Sequence, residues 1–369
     1  MSNLKKFNLF IFITSFAKLL VELFIPLILY KNNYSINDII LFLILKYTFC
    51  LVFIPIGRKI GNKFSYTKLM LISALLFGVT YIYLNYMKSL IILSILYSSY
   101  LMFYWLGRHV YALSIIGNKK TTDNTSLYTI FTILGGLFSS YIGALIIEKF
   151  NYFILSITVV VLMFLSIIPL TKIKDVKIED ENKTLDVMKT FPKRNYIFIV
   201  LDQLRYIIIT LFPLYIYINV KSNLKFIGFI NIIAGVGSVI YIYFLSKKMD
   251  KNKKDYLSLS LLLISIVYLS KLFIINKTIF LFIIFIEGII SSSIDTITLR
   301  NIYCYGKNYS VISYVTFIEL LNNFGRTIFL VIFYFLKLDL IYIILVSILG
   351  ILVNVFIKFD DGKYGYSNY

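Results

Sequence analysis

The sequence predicts an all-α polytopic membrane protein, with about twelve transmembrane helices in two six-helix bundles. Three observations lead there. The chain is 59% hydrophobic, with a mean hydropathy of +0.85 over 369 residues, well beyond a water-soluble domain. Apolar runs of membrane length recur from end to end. One long charged segment, 172–194, ends near Pro192 and divides those runs six and six.

In order, the runs read as spans 8–30, 36–57, 68–87, 89–112, 126–148 and 151–171, then 195–218, 224–246, 256–275, 278–301, 309–336 and 338–358. Each is close to the ~20 residues that cross ~30 Å of hydrocarbon. The first follows Lys5 and Lys6 but is too long for a signal-peptide core and lacks a small-residue cleavage site, so it reads as a retained helix. The domains expected are an N-terminal bundle (1–171), a cytoplasmic linker (172–194) and a C-terminal bundle (195–369).

Charge is confined to some spans. The first holds Lys18 and Glu22, the second Lys46, and the fourth Arg108 beside His109. The seventh holds Asp202 and Arg205, the tenth Glu287, Asp295 and Arg300, and the eleventh Glu319 and Arg326. Lys271, near the outer end of the ninth, can snorkel to the interface. An ionised group in lipid costs several kcal/mol, so these side chains must face protein or a wet cavity. A polar lining built from chosen helices is what a transport pathway requires. Helices one, four, seven and ten are expected to line it, with three, six, nine and twelve outermost.

Depth sorts the charges. Lys18, Glu22, Lys46, Glu287, Glu319, Asn322, Asn323 and Arg326 fall near mid-bilayer and read as a binding and coupling chamber. Arg108, His109, Asp202, Arg205, Asp295 and Arg300 lie nearer the cytoplasmic side and read as a gate. In an outward-open state that set is expected to make cross-bundle contacts, especially between Arg108 or Asp202 and Arg300 or Asp295. Lys18 with Glu22 and Asp202 with Arg205 share helix faces, and such pairs often only lock helices together. Glu287 has no basic residue within a turn, which suits an acid that exchanges protons. His109, one turn from Trp105, reads as a packing histidine with a proton relay as the alternative.

The net charge of +19 does not point to nucleic acid. Basic residues gather at Lys5/Lys6, Arg58/Lys59/Lys63/Lys68, Lys119/Lys120, the turn Lys247–Lys254 and the linker, whereas the opposite loops hold single lysines such as Lys31, Lys88 and Lys337. This positive-inside bias places both termini in the cytoplasm of a cell-membrane protein. Cys50 and Cys304 offer no disulfide framework and no zinc spacing, so neither metal nor cofactor is expected. No GxxxxGK[ST] loop is present, and no enzyme activity is expected. The partners expected are a small molecule, protons and the bilayer, for a monomer.

The two halves echo each other. Leu23-Phe24-Ile25-Pro26-Leu27 with Ser35 recurs as Leu211-Phe212-Pro213-Leu214 with Ser222, the prolines and the serines being separated by the same distance along the chain. The basic turn Gly57–Lys68 has its counterpart in Ser246–Tyr256. Pro26 and Pro213, near the outer ends of the first helix of each half, suggest a pair of gating bends.

Twelve helices, a central linker and a basic loop after the second helix resemble the major facilitator superfamily. Its loop motif is degenerate here: Gly57 matches, but Gly61 or Asn62 stands where the family carries an aspartate. The fifth helix resembles the family's antiporter stripe, with Gly135, Ser139, Ser140, Gly143 and Ala144 small at the matching positions and Ser140 in place of proline. Such a stripe also serves plain tight packing. The resemblance implies proton-coupled export, by alternating access, of a small amphipathic, cationic or zwitterionic solute. Glu22 and Glu287 are the coupling acids expected. The alternative is a flippase for a lipid-linked sugar or envelope precursor, which needs a cationic cavity. Lys18, Lys46 and Arg326 against Glu22, Glu287 and Glu319 form a balanced inventory instead.

Overall fold

The computed structural model describes residues 3–115, 130–175, 184–220, 223–245, 256–273, 276–306, 309–357 and 359. Linker residues 176–183, Lys119/Lys120 and the basic turn 246–255 lie outside the described residues. Twelve apolar helices run α1 (Asn3–Lys31), α2 (Ile36–Phe64), α3 (Tyr66–Asn85), α4 (Leu90–Ile115), α5 (Ile130–Lys149) and α6 (Tyr152–Thr171), then α7 (Lys193–Asn219), α8 (Leu224–Phe244), α9 (Leu257–Phe273), α10 (Lys277–Gly306), α11 (Val311–Phe335) and α12 (Leu340–Val355). Ten are long and apolar enough to span a bilayer, while α9 and α12 have 17 and 16 residues. A short helix, Thr184–Thr190, lies in the linker.

Helix starts follow local chemistry. Ser35 and Asp38 form a reciprocal capping box on α2, and the Asn151 and Asn223 side chains accept from the first free backbone amides of α6 and α8. With no water in hydrocarbon, such orphan amides need internal partners.

The packing repeats with a period of six helices. α1 packs on α6 as α7 packs on α12, and α2 on α4 as α8 on α10. α3 packs on α4 and α6 as α9 packs on α10 and α12. Between the halves α2 meets α11 and α5 meets α8, two seams that the same relation exchanges. The result is two six-helix bundles around a pseudo-two-fold axis.

The two expected proline bends differ. α1 breaks: it leaves α geometry at Leu20 and Val21, passes through a 3-10 turn over Glu22–Phe24 and resumes at Ile25. Pro26 explains the break, because it has no N–H for the Glu22 carbonyl and its ring crowds that turn. α7 stays helical through Pro213, without the break seen in α1. A proline close to a helix end removes a bond that a neighbouring turn can replace.

Glycine sets the closest approaches. A Cβ on Gly143 would lie 2.0 Å from the Leu20 carbonyl oxygen, and one on Gly288 would lie 1.9 Å from the Ala234 carbonyl oxygen. Backbone on both sides cannot yield. Gly288→Val is expected to cost at least the ~1–3 kcal/mol typical of overpacking, lowering the thermal midpoint or abolishing a monodisperse peak. Gly78→Ala, whose Cβ would meet Val160 at an ordinary 3.5 Å, should melt like the parent when both are followed by size-exclusion thermostability.

Candidate functional site: a charged cavity between the bundles

A cavity of about 480 Å³ lies between the halves. Its wall is built from α1, α2, α4, α7, α10 and α11, with Thr132 added from α5. Among the described residues, α3, α6, α9 and α12 contribute nothing to it, in keeping with the absence of mid-span charge from three of them and the different use of Lys271 in α9. The lining set is wider than helices one, four, seven and ten, because the α2–α11 seam adds Lys46, Tyr47, Glu319, Asn322 and Arg326.

The break in α1 presents Lys18 and Glu22 to the cavity as an ion pair at 3.4 Å. Tyr97 of α4 donates its hydroxyl to Glu22 at 2.5 Å. The Lys18 ammonium lies 4.9 Å from the Trp105 ring centroid, a cation–π placement. Small residues of α5 hold the broken segment. Ser140 donates to the Leu19 carbonyl, freed by the break, at 3.1 Å, and accepts from Asn231 of α8 at 3.0 Å. Gly135 and Gly143 let α5 lie against the α1 backbone at Phe12 and Leu20. Ser139 bonds back to the Gly136 carbonyl at 2.7 Å and, like Ala144, is buried.

The expected gate residues group differently from the sequence expectation. Arg205, fully buried, holds Asp202 at 2.9 Å and Asp295 at 2.7 Å, all three within the C-terminal half. Arg300 does not line the cavity and donates to the neighbouring Asn301 at 3.4 Å. Arg108 donates to Tyr104 at 3.1 Å and Thr132 at 2.8 Å, both in its own half. The cross-half contacts are made instead by His109. Its Nδ1 shares a 2.6 Å hydrogen bond with the Tyr303 hydroxyl of α10, and its Nε2 lies 3.7 Å from the Glu319 carboxylate of α11. Trp105 stacks on the imidazole at 5.1 Å, fixing the ring plane. On the same face Arg58 donates to Ser313 of α11 at 2.9 Å and also to Thr184 of the linker helix. Across the opposite face Tyr30 meets Tyr217 edge-on, and Lys225 pairs with Glu148 at 2.8 Å.

Two chamber residues leave the list. Glu287 is not in the cavity wall; Lys271 of α9 holds it at 2.7 Å, so this lysine is buried rather than snorkelling. Helical spacing within α10 could not show a partner on the adjacent helix. Asn323 is buried against α4, donating to the Glu319 carbonyl at 2.7 Å and approaching the Met102 sulfur, while Asn322 stays in the wall. Without Glu287, the mid-bilayer inventory is no longer balanced. Lys46 and Arg326 line the cavity, and among the described residues no carboxylate lies within 4.0 Å of either.

Several wall residues escaped the sequence reading. Gln203 donates to Asn322 at 3.0 Å and accepts from Arg326 at 2.8 Å; its place beside Asp202 in a charged span was an available cue. Tyr47, Tyr97, Tyr206 and Tyr303 could not be picked out among 31 tyrosines. In place of the family's loop aspartate, Asn62 accepts a 2.7 Å bond from Tyr66.

Arg205→Leu strands the buried Asp202 carboxylate and is expected to destabilise by about 3–5 kcal/mol, as loss of one buried partner does. Adding Asp202→Asn and Asp295→Asn should recover part of the loss in thermal melts.

The family model for the Major Facilitator Superfamily matches residues 7–318. The crystal structure of the human organic anion transporter MFSD10 (TETRAN) superposes with a TM-score of 0.61 at 9% identity, covering 97% of this chain and 100% of that chain. That likeness concerns the fold. No curated protein sequence matches the chain. The family match over most of the chain, the six-helix periodicity and the central charged cavity agree: this protein is a membrane transporter belonging to the major facilitator superfamily.

Proposed function

We propose that the protein is a secondary active exporter of a small amphipathic, charged solute, coupled to protons by alternating access of the two bundles. The observation that carries this reading is the Glu319–His109–Tyr303 cluster. It sits in the cavity wall and ties the C-terminal half to the N-terminal half through ionisable groups. Glu319 is only 8% exposed, so its ionised form is costly unless a cation faces it. Protonating Glu319 removes its charge-assisted attraction to His109 and loosens the contact between α4 and α11. Proton occupancy then biases which face opens, as a two-state carrier requires. Glu22 is the second candidate acid, although Lys18 and Tyr97 already hold it. Glu287, paired with Lys271 away from the cavity, serves the C-terminal bundle as a structural ion pair.

The α5 stripe supports the antiporter reading through its use. It seats the broken α1 segment that carries Lys18 and Glu22, so movement of α5 against α8 reaches the chamber directly. The bundles rock about the α2–α11 and α5–α8 seams, with the linker 172–194 joining them and both termini on the cytoplasmic side. A flippase is the second reading, favoured by Lys46 and Arg326, which suit a lipid head group. Proteoliposomes separate the two, since a flippase moves labelled lipid between leaflets and a solute exporter does not.

The test uses proteoliposomes with an internal pH dye, together with a growth screen against toxic amphipaths. Glu319→Gln is expected to reduce solute-driven proton flux at least about tenfold while solute exchange at zero gradient persists. Undiminished proton flux in Glu319→Gln, with Glu22→Gln equally active, would sink the coupling assignment.

A further inference from the structure

We propose that Lys46 of α2 and Arg326 of α11 form an anion subsite, which takes the carboxylate or phosphate head of the transported solute at the seam between the halves. The inference rests on the reading of the cavity as a transport chamber and names the class of solute that the chamber accepts.

The other buried cations near the cavity are held by carboxylates or, for Arg108, by hydrogen bonds to Tyr104 and Thr132. Lys18 faces Glu22, Arg205 faces Asp202 and Asp295, and Lys271 faces Glu287. Lys46 is 7% exposed, yet among the described residues its ammonium makes neither an ion pair nor a hydrogen bond. Its neighbours are two rings, Tyr97 at 4.3 Å and Tyr47 at 4.8 Å from the centroids. Ring faces attract a cation by about 0.5–2 kcal/mol, well short of the desolvation cost of an ammonium. A ligand anion supplies the difference.

Arg326 completes the pair. Its guanidinium carbon lies 5.2 Å from the same Tyr47 ring and 4.8 Å from the Tyr206 ring. Its Nε donates to Gln203 at 2.8 Å, and Gln203 is itself anchored by the Ile199 carbonyl at 2.9 Å and by Asn322 at 3.0 Å. The fork is therefore oriented before a ligand arrives, and its outer nitrogens remain for a carboxylate or phosphate. The two cations share one tyrosine and belong to opposite bundles, so one head group bridges the halves. Leu101, Met102, Ile199 and Ile318 give the solute's body an apolar wall. The cavity volume lies within the range of drug-sized sites. Glu22 and Glu319, also in the wall, disfavour a second negative charge and accommodate an amine, so the class is an amphipathic monoanion or zwitterion.

Trp105 is the chain's single tryptophan and lines the same cavity, so its fluorescence reports occupancy. Purified full-length protein in nanodiscs is titrated with para-nitrobenzoate, para-nitrophenyl phosphate and para-nitrobenzylammonium, which share a quenching ring and differ in head group. Both anions are expected to quench saturably, with the ammonium compound at least about tenfold weaker. The ranking of the two anions tells carboxylate from phosphate solutes. Lys46→Gln and Arg326→Gln should each weaken anion binding by about tenfold or more, with Lys46→Arg restoring it. Equal or tighter binding of the ammonium probe, no saturable quench by either anion, or anion affinity unchanged in both Gln variants overturns the subsite. The head-group comparison uses the parent protein, so a misfolded variant cannot mask the answer. Glu319→Gln should keep the anion quench while losing proton flux, so the subsite and the coupling assignment fail separately.

Discussion

An ionised side chain inside a bilayer costs several kcal/mol unless it meets an opposite charge or water, and the arrangement of this chain follows from that cost. Arg205 is buried completely because two aspartates converge on it, one a turn away on α7 and one from α10. Lys271 and Glu287 join α9 to α10 in the same way. These contacts lie inside one half. Charges that are not settled within a half gather in the cavity wall, where the halves meet. The pathway is thus the place where each bundle leaves its electrostatics incomplete.

Backbone obeys the same rule. Pro26 interrupts α1, and the interruption frees carbonyls that hydrocarbon cannot solvate. Ser140 answers Leu19 with a hydrogen bond, and Gly143 lets α5 lie directly over Leu20. The small-residue stripe and the proline are therefore two parts of one feature. Together they hold a short 3-10 turn at the depth where Lys18 and Glu22 meet. Asn231 extends the contact to α8, so a stripe on one half grips both the broken helix of its own half and the seam with the other.

The seams differ in chemistry, which bears on the proposed rocking. The α5–α8 seam is dominated by close backbone approach: Gly228 lies against Tyr141 and Ser140, and Gly235 against Leu137. The α2–α11 seam carries Lys46, Tyr47, Arg326 and Glu319 along its cavity side. Packing of the first kind tolerates sliding, whereas charges of the second kind respond to a proton or a bound head group. Cargo and protons are thus proposed to act at one seam while the other serves as a bearing.

The sequence by itself determined the class and the approximate number of helices, because an apolar run of membrane length has few other places to go. It also located Lys18, Glu22, Lys46, His109, Glu319 and Arg326, since charge within such a run is rare enough to stand out. Pairing within one helix was legible where spacing alone brings side chains together, as for Lys18 with Glu22 and Asp202 with Arg205. Pairing between helices was decided only by tertiary structure. Lys271 captures Glu287, Asp295 joins Arg205, and His109 reaches across to Tyr303 and Glu319, because helix rotation and neighbour choice set those meetings. The same holds for the aromatic wall. A tyrosine facing lipid and one facing the cavity look alike along the chain, and only packing tells Tyr97 or Tyr47 from the rest.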